Sequence, residues 1–126
     1  MFELSVRAEF EAAHRIEGYM GKCSRLHGHS WTVEVCVAGS KTDKLGMVVD
    51  FKIIKGELRN FLKEFDHQYL NELPMFAKGC NPTAENIAKY IYEALEKKEA
   101  FQKNSQLRNV KVWESPKAAV VYSKDE

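Results

Sequence analysis

Three of the chain's four histidines, His14, His27 and His29, fall in an H-x12-H-x-H pattern flanked by strand-like sequence. Neutral imidazole suits a borderline-soft divalent ion such as Zn2+, and three protein ligands leave a fourth position open for water or substrate, the make-up of a catalytic metal site. Spacing supports this reading. Alternate residues of a strand share a face, so His27 and His29 point together, in parity with Trp31, Val33, Val35 and Val37. His14 closes a second period-2 series running Phe2, Leu4, Val6, Ala8, Phe10, Ala12. Two neighbouring strands would thus present all three imidazoles to one point at the edge of a core. The competing reading is three unrelated, partly buried histidines, and their common register weighs against it.

Three further groups bear on chemistry. Cys23 lies four residues before His27, in a loop with Lys22 and Arg25 whose positive charge favours a thiolate; such a thiolate can act as a base beside a metal. An inert, small apolar residue is the alternative for a lone cysteine. Asp66-His67 is a carboxylate next to an imidazole, the pairing that fixes a tautomer and raises basicity, although neighbouring side chains on an extended chain point apart. Glu114 shares parity with Val110 and Val112, which places a carboxylate on an inward stripe, a costly position unless it is paired. A ligand with two adjacent N–H donors, such as the amino-pyrimidinone edge of a guanine or pterin, would satisfy both of its oxygens.

These groups need elements to hold them. Residues 2–14 alternate as a strand, a loop with Gly18 and Gly21 follows, and a second strand covers 29–38 before Gly39-Ser40. Met47-Val48-Val49 is expected to be a short strand. Phe51, Ile54, Leu58, Phe61, Leu62 and Phe65 recur at helical spacing behind Asp50 as N-cap. Residues 66–82 have no clear period. Ala84, Ile87, Ala88, Ile91 and Leu95 mark a second helix, capped by Asn81 or Thr83, with Pro82 suited to its first turn. Val110, Val112 and Glu114 alternate, Ser115-Pro116 turns, and 118–123 gives a last strand. The order β-β-β-α-α-β-β implies an α+β fold with two helices on one face of an antiparallel sheet. The edges of so small a sheet invite pairing with another subunit, so a homo-oligomer is expected.

Composition bounds the alternatives. At 126 residues, with no linker, repeat or low-complexity stretch, residues 1–126 read as a single domain that can bury roughly two-thirds of its extended-chain surface. Nineteen basic residues against eighteen acidic ones leave a formal charge of +1, which offers no electrostatic footprint for nucleic acid or anionic membrane. There is no apolar run long enough for a membrane span and no basic-then-apolar leader, so a cytoplasmic protein is expected. Cys23, Cys36 and Cys80, odd in number and irregularly spaced, suit reduced thiols.

The segments Phe10-Glu11-Ala12-Ala13-His14, Cys23-Ser24-Arg25-Leu26-His27-Gly28-His29-Ser30-Trp31, Val49-Asp50-Phe51, Asp66-His67-Gln68-Tyr69-Leu70-Asn71, Asn81-Pro82-Thr83-Ala84-Glu85-Asn86 and Val112-Trp113-Glu114 together resemble the 6-pyruvoyl-tetrahydropterin synthase family. The likeness covers nearly the whole chain. It implies the tunnelling fold (T-fold), in which ββααββ-type subunits pair their sheets into an oligomeric barrel, usually a hexamer, with active sites at subunit interfaces. It also implies roles. His14, His27 and His29 would hold zinc, Cys23 would abstract a proton, Asp66 and His67 would complete a Cys-Asp-His relay, Glu114 would anchor a pterin ring, and Thr83 would contact it.

The implied substrate is 7,8-dihydroneopterin triphosphate, and the family divides over the product. One branch eliminates triphosphate and rearranges the side chain to a pyruvoyl group. The queuosine-pathway branch also breaks a carbon–carbon bond, releasing acetaldehyde and leaving 6-carboxy-5,6,7,8-tetrahydropterin. The short C-x3-H-G-H spacing of Cys23, His27, Gly28 and His29 resembles the carboxy-forming branch, since the animal pyruvoyl enzymes carry a longer insert. Members with glutamate in place of this cysteine cleave the side chain differently, and Cys23 argues against that chemistry. A non-catalytic zinc- or pterin-binding module on the same scaffold is the alternative of another class.

Overall fold

The computed structural model describes residues 1–19, 21 and 25–124. Two long strands, β1 (Phe2–His14) and β2 (His27–Gly39), pair antiparallel along their whole length, from Phe2 opposite Gly39 to His14 opposite His27. β4 (Gln106–Ser115) pairs antiparallel with β2, and β5 (Ala118–Tyr122) with β4. The remaining strand, β3 (Gln68–Tyr69), is a two-residue piece that runs parallel to β1 at Ala12 and Ala13, giving the order β3-β1-β2-β4-β5. The sheet is therefore mixed, and the expectation of a purely antiparallel layer is corrected at that edge.

A second correction concerns Met47-Val48-Val49, which form no strand. Asp43 takes their backbone instead. Its Oδ1 accepts the N–H groups of Leu45 and Met47, and its own N–H donates to the Met47 carbonyl at 2.8 Å, so a local turn replaces any ladder. Val48 meanwhile packs against Gly39, where a Cβ would lie 2.5 Å from the Val48 side chain and 2.8 Å from the Asn104 carbonyl, so only glycine closes β2 there.

Both helices lie on the apolar face. α1 (Phe51–Leu62) starts where Asp50 Oδ1 accepts the Lys52 N–H at 2.9 Å, a cap worth about 1 kcal/mol, and it buries Ile54, Leu58 and Leu62. Phe65, expected on the helix, is buried in the turn that follows it. α2 (Ala84–Glu96) is capped by Thr83, not Asn81: the hydroxyl accepts the Asn86 N–H at 3.1 Å. It buries Ile87, Ala88, Ile91 and Leu95. These meet Val33, Val35, Val110 and Val112 from the sheet in one core, each such side chain contributing about 1.5–3 kcal/mol of burial. The opposite face of β1 is charged, with Glu3, Arg7, Glu9 and Glu11 exposed.

Candidate metal centre and adjoining acid–base pair

The histidines gather where β1 and β2 end. His14 and His27 are direct cross-strand partners, and His29 faces Ala12 one step further in. Ring centroids lie 4.5 Å apart for His14–His27, 5.2 Å for His14–His29 and 4.6 Å for His27–His29. Trp31 supplies the floor. It stacks on Phe10, meets the edges of His14 and His29, and donates its indole N–H to the Ala12 carbonyl at 3.2 Å, so the cluster rests on a rigid, fully buried support.

Backbone carbonyls set two of the tautomers. His14 Nδ1 donates to the Pro82 carbonyl at 2.7 Å, and His27 Nδ1 donates to the Arg25 carbonyl, also at 2.7 Å. With the proton on Nδ1, each neutral ring carries a lone pair on Nε2. Those two Nε2 atoms face one another at 3.0 Å, and His29 Nε2 is buried without a hydrogen bond. Lone pairs at that separation repel unless a cation or an added proton lies between them. Burial pushes His14 and His29 below the ordinary imidazole value and so favours the neutral, donor form; the Pro82 carbonyl and the Glu114 carboxylate push His14 back up, and Glu114 does the same for His29. The donor set fits a divalent metal.

Glu114 completes the group. It is the extra residue of a bulge between Trp113 and Ser115 in the β4–β5 pairing, and bulges re-aim side chains. Its Oε1 lies 3.2 Å from His29 Nε2 and 3.9 Å from His14 Nε2, and one ligand atom from each of His14, His27, His29 and Glu114 lies within 4.8 Å of the others. The inward carboxylate read from the sequence thus has its partners in the imidazoles.

Asp66 and His67 do pair, for a reason absent from the sequence. His67 has φ of 60°, in the left-handed region that non-glycine residues seldom occupy, and this turns its ring back on its neighbour. Asp66 Oδ2 lies 2.9 Å from His67 Nδ1, while Asp66 Oδ1 accepts the Glu11 N–H at 2.9 Å and the His67 N–H donates to the Glu11 carbonyl. The Glu11 N–H first, and the His67 ring second, hold the Asp66 carboxyl below the usual carboxylate range. A shallow cavity of about 630 Å3 is lined by His29, His67 and Gln68 together with Glu11, Gly28 and Ser30, so of the histidine cluster His29 alone reaches the space beside His67.

Two predicted site residues remain. Cys23 falls outside the described residues. Thr83 follows Pro82, and its hydroxyl accepts the α2 cap bond, an interaction that leaves its O–H proton to donate. Sequence reasoning missed the Pro82 and Arg25 carbonyls, because a backbone acceptor leaves no mark on residue type.

The sheet of long β1–β2 and β4–β5 pairs with two helices on one face, and the site at its end, define a pterin-synthase-type T-fold enzyme. A family model described as 6-pyruvoyl tetrahydropterin synthase matches residues 3–125, and the chain belongs to that family. A 6-carboxy-5,6,7,8-tetrahydropterin synthase of Rickettsia felis is 37% identical over 136 aligned positions, covering 95% of this chain and 99% of the relative. One from Synechocystis is 42% identical over 93 positions, 69% of each chain. Among solved structures, 6-pyruvoyl tetrahydropterin synthase of Caenorhabditis elegans superposes with a TM-score of 0.84 at 29% identity, over 98% of this chain and 96% of that one.

Proposed function

We propose that the protein is a zinc-dependent lyase, a 6-carboxy-5,6,7,8-tetrahydropterin synthase that converts 7,8-dihydroneopterin triphosphate, with uptake of water, to 6-carboxytetrahydropterin, acetaldehyde and triphosphate. The observation that carries it is the convergence of three imidazoles, two of them facing lone pair to lone pair at 3.0 Å, within a chain 37% identical to a carboxytetrahydropterin synthase. Zinc held by His14, His27 and His29 would supply Lewis acidity to the substrate's side-chain hydroxyls and so ease loss of the neighbouring protons.

The protein's own groups do the remaining work. Cys23, as thiolate, takes a proton beside the ring. His67 gives or takes a second at its Nε2, because Asp66 occupies Nδ1 and holds the tautomer. Glu114 anchors the pterin: two carboxylate oxygens match two adjacent N–H donors, the charge-assisted arrangement of greatest strength. Thr83, next to the Pro82 carbonyl, borders the ring as a further contact.

The assembly proposed with this chemistry is a homo-oligomer, a hexamer by family likeness. Among the described residues the sheet ends on the two-residue β3 at one side and on β5 at the other, and neither edge has a further strand beside it, which suits pairing with a second copy. Light scattering should give a mass several times 14.5 kDa. Among the described residues no helix is long and apolar enough to cross a membrane. Cys36 and Cys80 are free thiols, which supports a cytoplasmic location.

The deciding experiment incubates zinc-loaded protein with 7,8-dihydroneopterin triphosphate and reads products by mass spectrometry with acetaldehyde trapped in the same tube. Carboxytetrahydropterin with acetaldehyde is the expected result. A pyruvoyl product without acetaldehyde would move the protein to the other branch of its family, which the Caenorhabditis elegans likeness favours. No turnover with metal bound would leave a binding module.

A further inference from the structure

β1 stops pairing with β2 at His14, yet its backbone does not run free. Arg15 donates its N–H to Asn71 Oδ1 at 3.0 Å and accepts from Asn71 Nδ2 at 2.9 Å. Two residues on, Glu17 donates its N–H to Asn81 Oδ1 at 3.0 Å and accepts from Asn81 Nδ2 at 2.9 Å. A carboxamide carries one acceptor and one donor side by side, as a peptide group does. The two asparagines therefore replace a neighbouring strand at alternate residues, and they lengthen the ladder past the end of the sheet.

The same side of β1 receives the other site segments. Glu11 holds Asp66 and the His67 N–H, and Ala12 and Ala13 pair with Gln68 and Tyr69, so residues 66–71 are registered on β1 from Glu11 to Arg15. Asn81 is tied in turn, its carbonyl accepting from Asn86 Nδ2 at 2.8 Å, and it precedes Pro82, whose carbonyl holds His14 Nδ1. Arg15 and Glu17 are exposed, so water would satisfy their backbone groups if the amides were removed. These bonds accordingly add little to the stability of the fold. What they add is register.

We propose that Asn71 and Asn81 are positioning residues: by pairing with the backbone of Arg15 and Glu17 they fix the Asp66–His67 turn and the Pro82 carbonyl relative to the His14 end of β1. This rests on the reading of His67 as an acid–base group at a metal centre. Aspartate keeps the acceptor and the shape of asparagine but loses the donor, and it sets a carboxylate oxygen against a backbone carbonyl.

The test uses the full-length protein with Asn71→Asp and Asn81→Asp, read by steady-state kinetics, bound-zinc analysis, amide hydrogen exchange and the ring NMR signals of His67. The expected result is a kcat loss on the order of 10–10²-fold with KM within about threefold, the scale of a small misplacement of reacting groups. Zinc content is unchanged in Asn71→Asp, zinc affinity falls in Asn81→Asp through the Pro82 carbonyl, exchange quickens at Arg15 or Glu17, and the His67 signals move in Asn71→Asp. Wild-type kcat in spite of faster exchange would overturn the proposal, as would a kcat loss in Asn71→Asp that tracks loss of zinc. Should the wild-type protein fail to turn over the substrate, the proposed function falls while the His67 signals still decide this point: displaced in Asn71→Asp they support positioning, unmoved they end it.

Discussion

His29 of the histidine cluster and His67 of the Asp66–His67 turn border one cavity, but the two regions are built by opposite means. The cluster sits on paired strands with a tryptophan beneath it, and the His14 side chain is only 1% exposed. The turn hangs on the outer side of β1, with the His67 side chain 78% exposed. Each setting suits the chemistry proposed for it. Metal ligation needs neutral nitrogen lone pairs, which burial favours by penalising the protonated ring. Proton exchange needs contact with water and a fixed tautomer, which an exposed ring pinned at Nδ1 provides. Desolvation prepares one region, and local geometry the other.

The largest loss is expected at the cluster. His14→Ala or His29→Ala should weaken zinc binding by more than about 10²-fold, beyond the 10–100-fold typical of losing an outer partner, and abolish turnover; metal analysis after dialysis checks this. Replacement of His67 by Ala should remove turnover and leave zinc content intact, separating the two regions in one assay.

Glu114→Gln sharpens the boundary between metal and substrate. Loss of a charge-assisted contact to the pterin should raise KM by about ten- to a hundredfold while zinc stays bound. If zinc is lost with the carboxylate, Glu114 belongs to the metal rather than to the ring.

Backbone strain gives a smaller effect of opposite sign. At φ of 60°, His67→Gly should be about 1 kcal/mol more stable than His67→Ala in urea unfolding, although both are inactive. Equal stability would mean that the turn relaxes without its ring.

Acid separates the regions last. In metal-free protein, His14 and His29 titrate below their ordinary value of 6.5, so between the folded and unfolded values the unfolded chain binds more protons. Their contribution to stability is therefore complete above pH 6.5 and declines as pH falls below it, which thermal midpoints between pH 7.5 and 5 should reveal. Asp66, depressed from 3.8, contributes above that value and loses its contribution only at lower pH, so Asp66→Asn should flatten the extreme acid limb alone.

The contrast also explains what the sequence disclosed. Period-2 parity placed His14, His27, His29 and Glu114 on the inner face, because side-chain direction in a strand follows from residue number. The same logic failed at His67, where one left-handed φ reverses the direction that parity assigns. It failed again at Met47-Val48-Val49, whose β-branched pair suits a strand while the Asp43 side chain claims the Met47 N–H and, before it, that of Leu45. The two-residue β3 was invisible because a register that short has no period. The Pro82 and Arg25 carbonyls were invisible because every residue has one.

The Arg25 carbonyl joins two events that would otherwise be independent. A metal on His27 Nε2 favours the proton on Nδ1, and that proton is what the Arg25 carbonyl binds. Thermodynamic reciprocity then runs both ways: occupancy at the centre tightens the hold on residue 25, and whatever secures residue 25 raises affinity at the centre. Cys23, the proposed base, lies two positions upstream in the sequence, so its proposed role would be coupled to loading of the ion.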